Sequence, residues 1–126
     1  MKKTILVVDD DQAIGAIFDF ILQQAGYKTL AATSGKTCLD IIRSEVSVDL
    51  VFLDLKMPDM SGLEVFKEII KCRPELLVIM MTGYMVNDTL KQAFDLGAYG
   101  VIYKPFDVEE VLGIIDKIMM TTKKGK

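Results

Sequence analysis

The sequence has 126 residues, a length that suits one domain with a single hydrophobic core. Its 51% hydrophobic and 26% charged content excludes a disordered chain, and its net charge of -3 argues against direct nucleic-acid binding. The absence of histidine excludes catalytic triads and histidine metal ligation within the chain. No apolar run approaches the roughly 20 residues that cross a bilayer, so we expect a cytoplasmic protein without membrane contact.

Five short apolar runs predict five buried β-strands. The first is followed directly by three aspartates, and the third leads into Asp54 and a loop that contains Pro58 and Gly62. The fourth ends at Thr82, and the fifth ends at Lys104. The predicted strands span residues 4–8, 27–31, 49–53, 76–81 and 100–103.

Apolar residues at helical spacing predict a helix after each strand. Ser34 is the predicted N-cap of the second helix, and Asp107 that of the fifth. The fourth helix spans 88–96, with Phe94 directed inward. A polar tail, 121–126, is expected to fray.

The last helix has an apolar stripe that begins at Val108 and continues through Val111 and Ile115. Ile114 and Ile118 lie beside this stripe. They belong either to a wide core-facing stripe or to an exposed strip that contacts a partner.

Alternating strands and helices indicate an α/β fold, a doubly wound parallel sheet with helices on both faces. In such sheets, functional residues gather beyond the carboxyl ends of the strands. The side chains expected at that edge are three acids, a hydroxyl and an ammonium: Asp9, Asp10, Asp54, Thr82 and Lys104.

Three neighbouring carboxylates require a cation, because two of them ~4 Å apart repel by on the order of 4 kcal/mol at an effective dielectric of about 20. Lys104 supplies one charge, and oxygen ligands favour Mg²⁺ or a close relative for more. Asp54 could then attack a phosphoryl group and form an acyl phosphate. Thr82 and Lys104 could hold the transferred oxygens.

Four motifs in this order make the chain resemble the receiver domain of two-component response regulators, the CheY-like family. The resemblance covers residues 4 to about 120, and implies a single receiver domain over 1–126, either complete or part of a longer protein. The motifs are VVDD at 7–10, LDLKMPDMSG at 53–62, MTG at 81–83 and KPF at 104–106.

The resemblance implies a flavodoxin-like sheet of strand order 2-1-3-4-5 with five helices. It implies that Asp54 is the phosphoacceptor, that Thr82 and Lys104 contact the phosphoryl oxygens, and that the Lys104–Pro105 bond is cis. It also implies a Mg²⁺ site in which Asp10, Asp54 and the backbone carbonyl of Lys56 are ligands and Asp9 acts through a bound water.

By the same resemblance, the chain is a signalling switch that catalyses only its own phosphorylation and dephosphorylation. The phosphoryl donor would be a histidine kinase or a histidine phosphotransfer protein. The face formed by helix 4, strand 5 and helix 5 would then change its affinity for an output partner that the sequence does not identify. A phosphorylation-dependent homodimer is an open alternative.

Three residues bear on how the phosphorylation signal reaches a partner and on how long the phosphorylated state lasts. Val101 stands where this family usually has an aromatic residue, and Tyr103, the nearest aromatic, is predicted to point the other way. Lys56 and Tyr84 place bulky groups beside the predicted phosphoryl site, as in stand-alone regulators of sporulation-type phosphorelays. We expect them to restrict the attacking water and prolong the phosphorylated state.

Two other functional classes compete with this interpretation. A haloacid dehalogenase-type phosphohydrolase also uses an aspartyl phosphate, but carries a second acid two residues after the nucleophile, where this chain has Lys56. A phosphorylation-independent binding module would not need Asp10, Asp54, Thr82 and Lys104 together. A dinucleotide-binding fold is excluded because no Gly-rich loop follows the first strand.

Overall fold

The structure, a computed structural model, describes residues 2–83 and 88–124, with side chains described as far as residue 119. Within these ranges five strands alternate with five helices, as predicted. In chain order they are β1 (Thr4–Val8), α1 (Gln12–Gln24), β2 (Lys28–Ala32), α2 (Gly35–Arg43), β3 (Leu50–Asp54), α3 (Gly62–Cys72), β4 (Leu77–Thr82), α4 (Asp88–Asp95), β5 (Gly100–Tyr103) and α5 (Val108–Lys124).

The strands form one parallel sheet in the order β2-β1-β3-β4-β5, which confirms the predicted topology. The central strands β1 and β3 are buried along their whole length, because helices cover the sheet on both sides. One core cluster joins the sheet to α2, α3 and α4, and a second joins it to α1 and α5. None of the described helices is both long and apolar enough to span a membrane.

Three strands begin and end one residue later than predicted. The register explains the shift, because Ala32 pairs with Val8 and Asp54 pairs with Met81. Asp54 and Thr82 are therefore the last residues of their strands and not the first residues of loops. The backbone that carries each of them is fixed by the sheet.

Two predicted core residues are exposed. Phe94 is 40% exposed. The side of α4 that faces the core carries Leu90 and Ala93. Helical spacing places Ala93 and Phe94 on opposite sides of Leu90, so Phe94 lies outside the buried face. Val108 is 49% exposed, since it opens α5 one turn before the first buried residue, Val111. The predictions of inward positions for Phe94 and Val108 are wrong.

The predicted orientation of Tyr103 is also wrong. Residues two apart in a strand face the same side of a sheet. Val101 packs against the core cluster beneath α2, α3 and α4, whereas Ile102 lies in the opposite cluster. Tyr103 therefore shares the side of Val101, at the exposed end of β5.

The last helix buries a wide stripe. Ile118 is 1% exposed and Ile114 packs partly against the same core, which resolves their alternatives in favour of a core-facing stripe. The helical backbone continues to Lys124, into the segment expected to fray. No glycine or proline interrupts 121–124, so the helix extends where the polar composition alone suggested a tail.

Candidate functional site

The predicted site residues lie along one edge of the sheet, beyond the carboxyl ends of β1, β3, β4 and β5. Asp9 follows β1, and its N–H donates to the Ala32 carbonyl at 3.1 Å. Lys104 follows β5, and its N–H donates to the Thr82 carbonyl at 2.8 Å. These backbone hydrogen bonds to neighbouring strands fix the backbone positions of Asp9 and Lys104, and so the points from which their side chains extend.

An acidic cluster forms at this edge because β1 and β3 are neighbours in the sheet. Asp9, Asp10 and Asp54 each offer a carboxylate oxygen, and these oxygens all lie within 4.8 Å of one another. Asp9 and Asp54 are buried, while Asp10 is exposed. The cluster is therefore open to solvent on the side of Asp10.

The Lys104 ammonium bridges the two buried acids. Its Nζ lies 2.6 Å from Asp9 Oδ2 and 3.3 Å from Asp54 Oδ2. Burial acts to lower the pKa of Lys104, but its contact with Asp9 and the charge of Asp54 outweigh burial and raise it. Lys104 therefore stays charged, and it pairs with Asp9 and Asp54 of the three clustered acids.

The carboxylate of Asp54 has a raised pKa, mainly because it is buried and also because the charge of Asp9 is close. Two contacts oppose this rise. The Lys56 N–H donates to Asp54 Oδ1 at 3.2 Å, and the Lys104 ammonium contacts Oδ2. Among the described contacts, the Lys56 N–H meets one oxygen of Asp54 and the Lys104 ammonium meets the other, so both oxygens of this buried carboxylate are held in place.

The turn after β5 positions Lys104. The Lys104–Pro105 bond is cis, as the resemblance implied. Phe106 then packs edge-on against Phe18 of α1 with ring centroids 5.4 Å apart, and Phe18 in turn contacts Phe52 of β3. The aromatic contacts connect the lysine-bearing turn to the strand that carries Asp54.

The donor set fits a hard divalent cation. Asp9 Oδ2 is buried, and apart from its ion pair with Lys104 at 2.6 Å it has no hydrogen-bond donor among the described residues. The oxygen therefore retains acceptor capacity within an all-oxygen cluster. Carboxylates completed by water and a carbonyl are the environment that Mg²⁺ prefers.

The loop between β3 and α3 is closed tightly at its base. The Gly62 N–H donates to the Leu55 carbonyl at 2.8 Å. A Cβ at position 62 would overlap the Asp54 carbonyl oxygen and lie 2.7 Å from Leu55 Cα, so only glycine fits. The helix start thereby contacts the backbone of the phosphoacceptor candidate itself.

The structure places some of the remaining predicted site residues and leaves others undescribed. Thr82 is buried at the end of β4, one residue beyond Met81, which pairs with Asp54. The Lys56 side chain is exposed, and Tyr84 lies outside the described residues. From sequence, Asp59 is expected to be a solvated loop or cap residue; its carboxylate is exposed but caps the distant helix α2, a contact that no local pattern signals.

Comparisons with known proteins agree with this geometry. Residues 5–116 match the family described as the response regulator receiver domain. The chain is 35% identical to sporulation initiation phosphotransferase F of Bacillus subtilis, over 94% of this chain and 95% of that protein. It is 36% identical to the DNA-binding transcriptional regulator NtrC of Rhizobium meliloti, but spans only 25% of that longer protein.

A solved structure gives the same result for the fold. The response regulator receiver domain protein of Methanospirillum hungatei superposes with a TM-score of 0.93 at 32% identity, over the full length of both chains. The likeness therefore covers the sheet, the helices and the edge that carries the acidic cluster.

Proposed function

The chain belongs to the response regulator receiver domain family, the phosphoryl-accepting switches of two-component systems, and from this premise we propose the residues that do the chemistry. Asp54 accepts the phosphoryl group. Thr82 and Lys104 hold the transferred oxygens. Asp9, Asp10, Asp54 and the Lys56 carbonyl hold Mg²⁺, whose charge offsets the negative charge of the acids and the incoming phosphoryl group.

The observation that carries this proposal is the ion-paired cluster. An Asp54 oxygen attacks the phosphorus of a phosphohistidine, the new O–P bond forms as the P–N bond breaks, and the imidazole leaves and takes a proton from solvent. Lys104, 3.3 Å from Asp54 Oδ2 before transfer, is within reach of the phosphoryl oxygens that arrive at the same carboxylate. The buried Thr82 hydroxyl lies on the adjacent strand.

We propose that the chain catalyses only its own phosphorylation and dephosphorylation. The phosphoryl donor is a histidine kinase or a histidine phosphotransfer protein, since this chain has no histidine of its own. The similarity to sporulation initiation phosphotransferase F over nearly the full length of both proteins supports a phosphorelay role. The absence of direct nucleic-acid binding, and the cytoplasmic location, remain predictions from the sequence.

The readout must work without an aromatic residue at position 101. Phosphorylation adds about -1.5 to -2 charges at the site. Lys104 then rearranges, and its backbone hydrogen bond to Thr82 couples β5 to β4. We propose that the face of α4, β5 and α5 changes partner affinity through this backbone coupling, and that homodimerisation is one form that the change can take.

Mass spectrometry tests the proposal. After incubation with acetyl phosphate and Mg²⁺, wild type should gain one phosphoryl group, and the Asp54→Asn variant should gain none. The Asp11→Asn variant is a matched control, because the Asp11 carboxylate caps α1 through the Ala13 N–H and the substitution keeps the backbone N–H that donates to Asp9; it should be labelled like wild type. A wild type that is never labelled would instead favour a phosphorylation-independent binding module.

A further inference from the structure

Asp59 links the loop between β3 and α3 to a different helix. Its Oδ1 accepts the Gly35 N–H at 3.1 Å, and its Oδ2 accepts the Lys36 N–H at 3.1 Å, across 24 and 23 positions of sequence. These are the first amides of α2, which have no acceptor within the helix. The side chain of Ser34, the helix's own N-cap, accepts the Thr37 N–H and leaves the Gly35 and Lys36 amides to Asp59.

Close packing reinforces this link. A Cβ at Gly35 would lie 2.9 Å from Val65 Cγ2 and 3.0 Å from Met60 Sδ, so the start of α2 rests directly on the residue after Asp59. Two backbone hydrogen bonds also lower the pKa of Asp59, and the carboxylate stays ionised near neutral pH. The tip of the loop is thus held by contacts and by charge.

The other end of the same loop is tied to β3. Leu55 accepts the Gly62 N–H, and the Lys56 N–H donates to the Asp54 carboxylate. The segment 55–61 is therefore fixed at its base by the strand and at its tip by α2. The Lys56 backbone lies between these two anchors, and its N–H contacts the Asp54 carboxylate at 3.2 Å.

We propose that Asp59 is a positioning residue for the metal site: its bridge to the first amides of α2 orients the loop so that Lys56 presents its amide to Asp54 and its carbonyl to the cation. The inference rests on the proposed function, which assigns the Lys56 carbonyl to Mg²⁺. It gives the carboxylate a role beyond capping a helix. The competing explanation is that Asp59 only stabilises α2.

The Ser34→Ala variant separates these explanations, because it removes an N-cap of the same helix without touching the loop. Mg²⁺ affinity is measured by calorimetry on the full chain, and the exchange rate of the Lys56 amide hydrogen by NMR without metal. Asp59→Ala should weaken Mg²⁺ binding about tenfold, as loss of a residue that supports a ligand does, and should speed Lys56 amide exchange. Ser34→Ala should leave both within about twofold of wild type.

A charge control completes the experiment. Asp40→Asn removes one negative charge from α2, where Asp40 makes only an exposed ion pair with Lys36 at 3.3 Å among the described contacts. This variant should bind Mg²⁺ like wild type. Asp59→Asn, which keeps one carbonyl acceptor, should fall between wild type and Asp59→Ala.

The idea is overturned if Asp59→Ala leaves the Lys56 amide and Mg²⁺ affinity unchanged, or if Ser34→Ala or Asp40→Asn weakens Mg²⁺ binding equally. Failure of the proposed function has a different signature, because wild type would then bind Mg²⁺ but take no phosphoryl group from acetyl phosphate. The Lys56 amide exchange and the Mg²⁺ affinity would still decide the role of Asp59 in that case.

Discussion

Replacing Asp54 with Asn should stabilise the metal-free protein. At an effective dielectric of about 20, two unit charges repel by about 3 kcal/mol at the 4.8 Å that bounds the separation of Asp54 from Asp9 and from Asp10. The attraction of Lys104 at 3.3 Å is about 5 kcal/mol on the same scale. The repulsion of Asp54 by Asp9 and Asp10 together exceeds its attraction to Lys104. Solvent around the exposed Asp10 weakens the repulsion between Asp10 and Asp54.

The expected gain is therefore about 1–2 kcal/mol in the free energy of unfolding. Asn keeps the shape of Asp and an oxygen that can accept the Lys56 N–H. Lys104 retains Asp9 at 2.6 Å, so the substitution leaves no buried ammonium without an anion. The measurement is urea unfolding in the presence of EDTA, and a variant less stable than wild type would refute the electrostatic reasoning.

The pH dependence gives a second, independent check on the same residue. Because burial raises the pKa of Asp54 above its ordinary value of 3.8, the folded state binds more protons than the unfolded state between that value and the raised one. The contribution of protonated Asp54 to the free energy of unfolding is therefore fully present below the ordinary pKa. It is lost as pH rises through the folded-state pKa. The advantage of Asp54→Asn should therefore be small near pH 4 and grow toward neutral pH.

Three further changes test other parts of the site. Lys104→Met should lower stability in EDTA by about 1–2 kcal/mol, because it removes the near cation, and Mg²⁺ should restore much of the loss; urea unfolding with and without metal measures both. Gly62→Ala should cost about 2 kcal/mol or more through overlap with the β3 backbone, whereas the control Gly113→Ala, with open space around it, should be neutral or stabilising in thermal unfolding. Tyr84→Ala should speed release of phosphate from the phosphorylated protein; an unchanged or slower rate would contradict the predicted shielding.

The sheet and the acidic cluster could be predicted from sequence because both depend on short-range patterns. Alternating apolar runs and helical stripes imply a parallel sheet, and the residues that follow each run must then share one edge. Asp9, Asp54 and Lys104 meet there as expected. Even so, three of the five strands were predicted one residue early, because register depends on the neighbouring strand and not on the run itself.

What could not be predicted depends on contacts distant in sequence. Asp59 resembles an ordinary loop acid, and only the folded chain brings it to the amides of Gly35 and Lys36. The exposure of Phe94 depends on which side of α4 faces the core, because the spacings from Leu90 to Ala93 and to Phe94 are both typical of an inward face. Tertiary packing, not local propensity, decides such positions.

The central claim is that Asp54 itself carries the phosphoryl group, and chemical trapping tests it most directly. Borohydride reduces an aspartyl phosphate to homoserine, so peptide mapping after treatment with acetyl phosphate, Mg²⁺ and then borohydride identifies the modified position. We predict homoserine at position 54 only, with none when Mg²⁺ is replaced by EDTA. Homoserine at Asp9 or Asp10, or labelling that survives in Asp54→Asn, would contradict the account.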